Sequence, residues 1–579
     1  MPLCTNGRRQ YRSAVKRPYS NTSKYASTQP SNKNRCSTRR RNIGHVLDTR
    51  RWLEKLPIEL FDLIFRHVSG TAAVDNYLCR TAWYSSGLFL KELWQLLLER
   101  NTEMMYVCRQ WRKLLSPTFY RYCVYDCGID APLVSEEQIC HIRKVLVYIP
   151  TSYCSYRNVA RGLFRLPMDV RKRVYWLGVC MNNAATISMS EMGALAQAFP
   201  NLQHVWVDLA TLNTKLRDVY PVLMGTATPA RITTFVCRDY GLINQKIAAA
   251  LIRRTAASLE YLDLGIIPMM AAYKIFWGGI NTADFSRFPR LRTLRIIIND
   301  LSTIAVAENS QGCTFPMLKE LTCHVIKRTS NRENTYNIYG QFAKKLENFL
   351  TRLITNCPSS LKYLNISDFN GMTLRQQTSR LYSLEHIVLQ QYDERENDEI
   401  YDYNNLSETL QLVRYIPMLR SLTIKANWYM QQNFKPNGLV HGQLSMLDVS
   451  NSKLTMCNMQ QLLTKFPNLQ EIRLTLLNTQ DYLPPDEINY NLSLRRLWIN
   501  ACTEDLPMWN AESLESLVIL LARMPNLKEL LLFQKAVEWL SKAISRKNRD
   551  DLLWLSLGVN IGRCNYDEKA VRHTTTLFL

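Results

Sequence analysis

The stretch Phe466-Pro467-Asn-Leu469-Gln-Glu-Ile472-Arg-Leu474 decides the fold of this 579-residue chain. Its apolar residues follow the pattern L-x-x-L-x-L, in which the last apolar positions alternate with polar ones, as in a strand with one buried face. The Phe-Pro pair in front of it ends any preceding helix, because proline cannot continue a helix and restricts the residue before it. The stretch therefore predicts a helix, a turn and a strand, in that order.

The same pattern recurs through most of the chain. Copies begin at residues 142, 174, 202, 232, 259, 291, 318, 361, 384, 419, 444, 469, 494, 527 and 552. The mean period of about 29 residues lies in the range of leucine-rich repeats. Six copies also carry an apolar residue and a proline before the strand: Phe199-Pro200, Phe288-Pro289, Phe315-Pro316, Ile416-Pro417, Phe466-Pro467 and Met524-Pro525.

Amphipathic helices are predicted upstream of several copies, at 341–356, 406–415, 456–465 and 512–523. Each repeat is then a strand, a loop, a helix and a turn, and a unit of this kind buries its apolar face only when its neighbours stack on it. We therefore predict a leucine-rich-repeat solenoid, an α/β horseshoe of about 15 irregular repeats, over residues 140–579.

Strand geometry also predicts which residues face a target. The second and third apolar positions of L-x-x-L-x-L point into the core, and the residues between them point to the concave face. Because Trp and Arg are common anchors of protein interfaces, five of these residues are candidate target contacts. They are Trp206, Arg295, Arg473, Arg496 and Trp498. The alternative is that a loop or the C-terminal tail covers Trp206 or Trp498.

The first 50 residues differ in composition from the rest of the chain. They hold 12 Lys/Arg and one acidic residue, Asp48, and few large apolar residues. Such a segment buries too little surface to offset chain entropy, so we predict a disordered basic tail over 1–50. The cluster Arg39-Arg40-Arg41 could serve as a nuclear-import signal. A mitochondrial transit peptide or a simple solvated tail would have the same composition.

Residues 52–125 contain two short apolar helical patterns with a long segment, 69–102, between them. The first begins at Leu56-Pro57-Ile-Glu-Leu60, where Pro57 suits a first helical turn. The second contains Val107-Cys108-Arg-Gln-Trp111 and ends before Pro117. The two motifs in this order, followed by Pro117-Thr-Phe-Tyr-Arg-Tyr122, resemble the F-box of fungal F-box proteins that carry leucine-rich repeats. The resemblance predicts a small all-α F-box module over 52–125.

That resemblance implies a function. F-box proteins of this kind are substrate-recognition subunits of SCF-type ubiquitin ligases, in which the F-box binds the Skp adaptor, and the adaptor bridges to cullin and RING subunits. By position, the residues implied to contact the adaptor or to complete its docking surface are Leu56, Pro57, Leu60, Ile64, Phe65, Val107, Cys108 and Trp111. The repeats would then bind an unknown target protein, inside the cell, in the cytoplasm, the nucleus or both.

Two alternatives to this interpretation stay open. The family joins its two F-box halves by a short link, whereas 69–102 intervene here and could extend or disturb the adaptor interface. The chain could accordingly be a non-catalytic repeat scaffold with a degenerate F-box that is not linked to ubiquitination. The segment 57–65 could also be an ordinary helix that caps the solenoid, since terminal repeats need caps.

Other classes of function find little support in the sequence. Phosphate-binding, nucleophile-elbow and zinc-protease motifs are absent, so we predict no enzyme activity and no cofactor or metal. The 16 cysteines include no C-x-x-C pair and read as reduced core residues, and Cys140-His141 is also expected to pack in the core. No apolar run is long enough to span a membrane. We do not expect nucleic-acid binding as the main activity, because the repeats lack a basic stripe interleaved with aromatic residues.

Overall fold

The computed structural model describes residues that belong to a single compact unit, Asp62–Leu579. These residues are 120–126, 139–149, 166–181, 198–209, 231–239, 252, 255–267, 272, 276, 288–298, 314–325, 348–357, 360–367, 381–390, 405–426, 442–477, 492–501, 511–522, 524–545 and 560–563. The predicted tail 1–50, the insertion 69–102 and all eight predicted adaptor contacts, from Leu56 to Trp111, lie outside them.

The described strands form one 16-stranded sheet in which chain order and sheet order are the same, from β1 to β16. Every pairing between neighbours is parallel. The strands are β1 Tyr122–Asp126, β2 Lys144–Ile149, β3 Trp176–Met181, β4 His204–Leu209, β5 Thr234–Asp239, β6 Tyr261–Ile267, β7 Thr293–Ile298, β8 Glu320–Val325, β9 Tyr363–Ser367, β10 His386–Gln390, β11 Ser421–Lys425, β12 Met446–Leu454, β13 Glu471–Leu476, β14 Arg496–Ala501, β15 Glu529–Leu532 and β16 Asn560–Arg563.

The strands confirm the phase of the repeats. In every copy from 142 to 527, the strand begins two residues after the first apolar residue of the pattern. The sheet is therefore a solenoid-like repeat fold with one parallel strand for each repeat, as the spacing of the leucines predicts.

The structure differs from the sequence prediction at the two ends of the sheet. Strand β1, Tyr122–Asp126, overlaps the end of segment 52–125, so the sheet begins before residue 140. The motif L-x-x-L-x-L is missing there, and Tyr122-Cys-Val-Tyr125 forms a strand because aromatic and β-branched residues favour one. At the other end, the copy at 552 is misplaced, because the strand that pairs with β15 begins at Asn560.

The helices lie between the strands and pack on one face of the sheet. They are α1 Met168–Arg173, α2 Asn405–Gln411 with a 3₁₀ turn at Leu412–Tyr415, α3 Met456–Lys465, α4 Ala511–Ala522 and α5 Gln534–Ser545, and residues 348–355 are also helical. Apolar residues of α3 and α4 join the inward-facing strand residues in one continuous core. Helix α3 starts with a capping box in which Thr455 Oγ1 accepts from Asn458 N (3.2 Å) and Asn458 Oδ1 accepts from Thr455 N (3.1 Å).

Two kinds of contact stabilise the turns that lead into the strands with a Phe-Pro-type signal. The apolar residue before the proline is buried in all six predicted Phe-Pro-type copies, and the rings of Phe276, Phe288 and Phe315 contact one another at 5.6–6.2 Å between centroids. A Pro-Asn-Leu sequence adds the second kind of contact, because its asparagine Nδ2 donates to a carbonyl of the preceding repeat. Asn468 reaches Gly442 O at 2.5 Å and Asn526 reaches Leu492 O at 2.6 Å.

Candidate functional site

The face of the sheet that points away from the helices is the predicted concave face, and we call it the outer face. Strand β14 shows how it is formed. Leu497 and Ile499 are fully buried toward the helices, while Arg496 is exposed and Trp498 is half-buried on the opposite side. The register then places equivalent residues side by side, so that Trp498 pairs with Arg473 of β13. A side chain on the outer face therefore has its neighbours from adjacent repeats, far apart in sequence.

The first part of the outer face is apolar. Trp176 of β3, Trp206 of β4 and Val236 of β5 form a separate buried cluster, against which Leu146 and Tyr261 pack. Trp206 is only 2% exposed. The prediction that Trp206 is an exposed target anchor is therefore wrong, and its cover includes Trp176 and Val236 of the neighbouring strands, which the alternative of a covering loop or C-terminal tail did not name. The physical reason is that two large indoles on neighbouring strands bury each other, which removes more apolar surface from water than either would alone.

Gly178 makes room for this cluster. A Cβ atom at this position would lie 2.4 Å from Trp176 Cη2 and 2.8 Å from Leu146 Cδ1, closer than non-bonded carbon atoms approach. The indole of Trp176 therefore lies flat over the backbone of the same strand, in the space that any other residue at 178 would fill.

The middle of the outer face carries Arg295 of β7, whose guanidinium carbon lies 5.7 Å from the centroid of the Tyr261 ring. Asp263 pairs in register with Arg295 and is buried. Its Oδ1 accepts a hydrogen bond from Gly265 N (3.1 Å), and Gly265 has φ 55°, a left-handed conformation that favours glycine. This turn produces a bulge in β6 and fixes Asp263 and Arg295 side by side.

A buried histidine follows on the next strand. Burial lowers the pKa of His324 to about 4, and the nearby charges of Lys425 and Arg295 lower it in the same direction. Burial also lowers the pKa of Lys425, while Asp448 raises it and Arg473 lowers it. Arg295 of β7 and Lys425 of β11 therefore lie close enough to shift the pKa of His324, and Arg473 of β13 lies close enough to shift that of Lys425.

The best-defined polar group on the outer face is the Glu471 cluster, formed by Asp448, Glu471, Arg473, Arg496 and Trp498. Arg473 donates to Glu471 Oε1 from Nε (2.8 Å) and Nη2 (2.6 Å), and Arg496 Nη1 donates to Glu471 Oε2 (2.9 Å). Arg473 Nη1 also lies 3.9 Å from Asp448 Oδ2. The buried carboxylate of Glu471 thus holds two guanidinium groups in fixed positions.

Arg473 and Trp498 are stacked within this cluster. The guanidinium carbon lies 3.7 Å from the centroid of the indole ring, a close cation–π contact. Trp498 Nε1 is buried and has no hydrogen-bond acceptor among the residues that the structure describes. A buried donor without an acceptor costs about 1–3 kcal/mol. Trp498 is therefore half-buried, with the Arg473 guanidinium stacked on its ring.

The structure thus brings three of the five predicted target contacts together, Arg473, Arg496 and Trp498, and places Arg295 and Trp206 elsewhere on the outer face. The sequence reasoning missed Glu471 and Asp448, which orient the two arginines. A signal for them was present, because Asp448 and Arg473, and likewise Glu471 and Arg496, carry opposite charges at paired outward positions of neighbouring strands.

Within the described ranges, no group of three His, Cys, Asp or Glu residues is arranged to hold a metal ion. No described helix has both the length and the apolar character to cross a lipid bilayer.

Cys323 is buried, as expected of a core cysteine, and burial raises its pKa. Cys140 is exposed at the turn before β2, so the prediction that the Cys140-His141 pair packs in the core is wrong for Cys140.

Comparison with known proteins finds similarity among solved structures. No protein-family model matches the sequence, and no curated protein matches it. Among solved structures, the chain is similar to one described as the crystal structure of the Rad7 and Elc1 complex in yeast, with 13% sequence identity and a TM-score of 0.31. The match covers 75% of this chain and 92% of that one. A similarity at this level carries no argument about function.

Replacing Gly178 by alanine should destabilise the protein by about 1–3 kcal/mol, because the new methyl group overlaps the Trp176 indole. Chemical denaturation followed by tryptophan fluorescence measures the change. Gly442→Ala is the matched control, since its nearest neighbour, Asn468 Nδ2, would lie 3.9 Å away. Equal stability of the Gly178→Ala protein and the unmutated chain would show that Trp176 does not lie over this glycine.

The buried His324 should make the protein less stable in mild acid. The unfolded chain binds a proton at the ordinary histidine pKa, near 6.5, whereas the folded chain binds it only near 4. The free energy of unfolding should therefore fall by something of the order of 2 kcal/mol between about pH 7.5 and about pH 5 from this residue alone.

Urea denaturation at the two pH values tests this prediction in the unmutated chain and in the His324→Gln variant. The variant should lose part of the pH dependence, whereas His386→Gln, at an exposed position of β10, should keep it. An unchanged pH dependence in His324→Gln would contradict the burial of the neutral imidazole.

Proposed function

We propose that the chain is the target-recognition subunit of an SCF-type ubiquitin ligase, in which an F-box segment binds the Skp adaptor and the repeat sheet binds the target. The observation that carries the proposal is the order of its parts. Two F-box-like motifs, Leu56-Pro57-Ile-Glu-Leu60 and Val107-Cys108-Arg-Gln-Trp111, precede a parallel repeat sheet with one strand for each repeat. This order joins a docking motif to a large, regular binding surface.

The Glu471 cluster supports the second half of the proposal. Arg496 is exposed and donates to Glu471 through Nη1 alone among the described residues, so its remaining N–H groups are available to a ligand. Arg473 and Trp498 are preorganised beside it by the buried carboxylate. Preorganised Arg and Trp side chains suit a protein-binding site, because little conformational entropy is lost when the partner binds.

In this proposal the chain catalyses nothing itself. It holds the target near a ubiquitin-loaded enzyme that the cullin and RING subunits recruit, and so raises the effective concentration of target lysines. The proposal places the protein inside the cell, in the cytoplasm, the nucleus or both.

The first test is binding of the adaptor. Purified full-length chain should retain a recombinant Skp adaptor in a pull-down, and Leu60→Asp with Ile64→Asp should abolish this, because two buried carboxylates at an apolar interface are strongly unfavourable. Met168→Asp with Leu492→Asp is the matched control, since both side chains are exposed in the sheet unit. Failure of the unmutated chain to bind the adaptor would favour the scaffold alternative.

The second test separates target binding from adaptor binding. In cells, Arg496→Ser with Trp498→Ala should reduce the amount of target cross-linked to the chain by roughly tenfold while adaptor recovery stays the same. Lys542→Ser, on the exposed side of α5, should leave both unchanged. Quantitative mass spectrometry of cross-linked material gives the result. Unchanged recovery of every target by the double variant would show that targets bind elsewhere.

A further inference from the structure

A second surface lies along the edge of the sheet where the strands begin. The residue directly after the first apolar residue of each repeat occupies this edge, which we call the basic rim. Its members from β7 to β15 are Arg292, Lys319, Lys362, Glu385, Arg420, Ser445, Gln470, Arg495 and Lys528. Backbone hydrogen bonds between adjacent rim residues fix their spacing. For example, Lys319 N donates to Arg292 O (2.8 Å) and Lys528 N donates to Arg495 O (2.7 Å). The rim is therefore as regular as the sheet itself.

The positive charges of the rim are only partly compensated. Glu385 is its one acidic member, and this carboxylate lies 2.6 Å from Lys362 Nζ and 3.9 Å from Arg420 Nη1. Arg292, Lys319, Arg495 and Lys528 are all exposed. Among the described residues none of these four makes an ion pair or a side-chain hydrogen bond. At the β14–β15 end the rim thus carries exposed cations without an acidic partner among the described residues, whereas at the other end Arg292 follows Glu260, which holds the same position in the β6 repeat.

Exposed apolar side chains accompany these cations. Most of the large apolar residues that the structure leaves exposed lie one or two residues before the first apolar residue of a repeat, on the turn next to the rim. They are Met317, Tyr382, Met418 and Leu492, with exposed fractions of 46%, 50%, 39% and 63%. Single exposed apolar residues are ordinary, but their repeated placement on the same turn of the repeat produces a mixed cationic and apolar strip.

The two kinds of side chain meet in a pocket at the β14–β15 end of the rim. This open pocket of about 510 Å³ is lined by Leu492 and Pro525 together with Arg495 and Lys528, and by the polar residues Gln470 and Ser493. No acidic side chain lines it. Asn526 supports its wall, because its Nδ2 donates to Leu492 O (2.6 Å) and so fixes the turn that carries Leu492.

We infer that the basic rim binds an acidic segment of a partner protein in which carboxylates are interspersed with apolar side chains. Arg495 and Lys528 would pair with the carboxylates, while Leu492 and Pro525 would cover an apolar residue between them. A peptide suits the pocket better than a nucleic acid, because its apolar lining is aliphatic and offers no aromatic ring on which a base could stack. This inference concerns a surface apart from the outer face and does not depend on adaptor binding.

A fluorescent synthetic peptide of repeating Asp-Glu-Leu triplets is a suitable probe, with full-length protein and fluorescence anisotropy as the measurement. Arg495→Glu with Lys528→Glu should weaken binding roughly tenfold, because two attractive charge pairs become repulsive. Leu492→Ser, or a peptide with serine in place of leucine, should weaken it about threefold through lost apolar contact. Binding should also weaken in high salt, because the pairs are exposed.

The matched control for charge is Arg414→Glu with Lys542→Glu, which makes the same change in net charge on the helical side of the repeats. It should leave peptide affinity unchanged. Equal weakening by this control would overturn the inference, since net charge alone would then explain binding. So would failure of the peptide to bind, or full affinity in the Arg495/Lys528 variant.

A single-stranded oligonucleotide of mixed sequence serves as a competing probe. The inference predicts that it binds more weakly than the peptide and is insensitive to Leu492→Ser. Tighter binding of the oligonucleotide that is lost in the Arg495/Lys528 variant would assign the rim to nucleic acid and overturn the proposal for a protein segment.

Discussion

The structure depends on the burial of two inward-facing apolar residues per strand between parallel neighbours. In β12, Leu447 and Val449 are fully buried, and their counterparts Ile472 and Leu474 in β13 are equally buried in register with them. In a single repeat these two side chains would be exposed to water on both sides of the strand. Their apolar surface is therefore removed from water only when repeats stack. Because strand side chains alternate strictly, this burial also decides which residues are left for the other face.

The two candidate binding surfaces follow from that constraint in different ways. The outer face consists of the residues that alternation forces away from the core, and there Glu471 holds Arg473 and Arg496 by charge-assisted hydrogen bonds. The basic rim consists of the residues just before each strand, whose backbones are fixed by hydrogen bonds between adjacent rim residues while their side chains stay in solvent. One surface is preorganised by side-chain contacts, and the other by the repeated backbone alone.

Much of the fold could be predicted because its signal is local. The spacing of leucines placed the strands correctly from 142 to 527, and the Phe-Pro pairs placed the turns, since each depends on residues within one repeat. Strand β1 was missed because Tyr120, Cys123 and Tyr125 stand where the pattern expects leucines. The covering of Trp206 could not be predicted, because it depends on Trp176 and Val236 from neighbouring repeats, whose register the sequence does not state.

The arginines of the Glu471 cluster were predicted, but their carboxylate partner was not, because Glu471 resembles any solvated glutamate until the sheet buries it.

The most direct measurement of the central claim is hydrogen–deuterium exchange by mass spectrometry on the full-length chain. If the strands form one continuous parallel sheet, peptides that contain β6 to β14 should all exchange slowly, including the short strands β9 and β10 near its middle. Exchange in β9 and β10 as fast as in an unstructured peptide, with protection on either side, would contradict the account, because the burial that one repeat offers the next would then be interrupted.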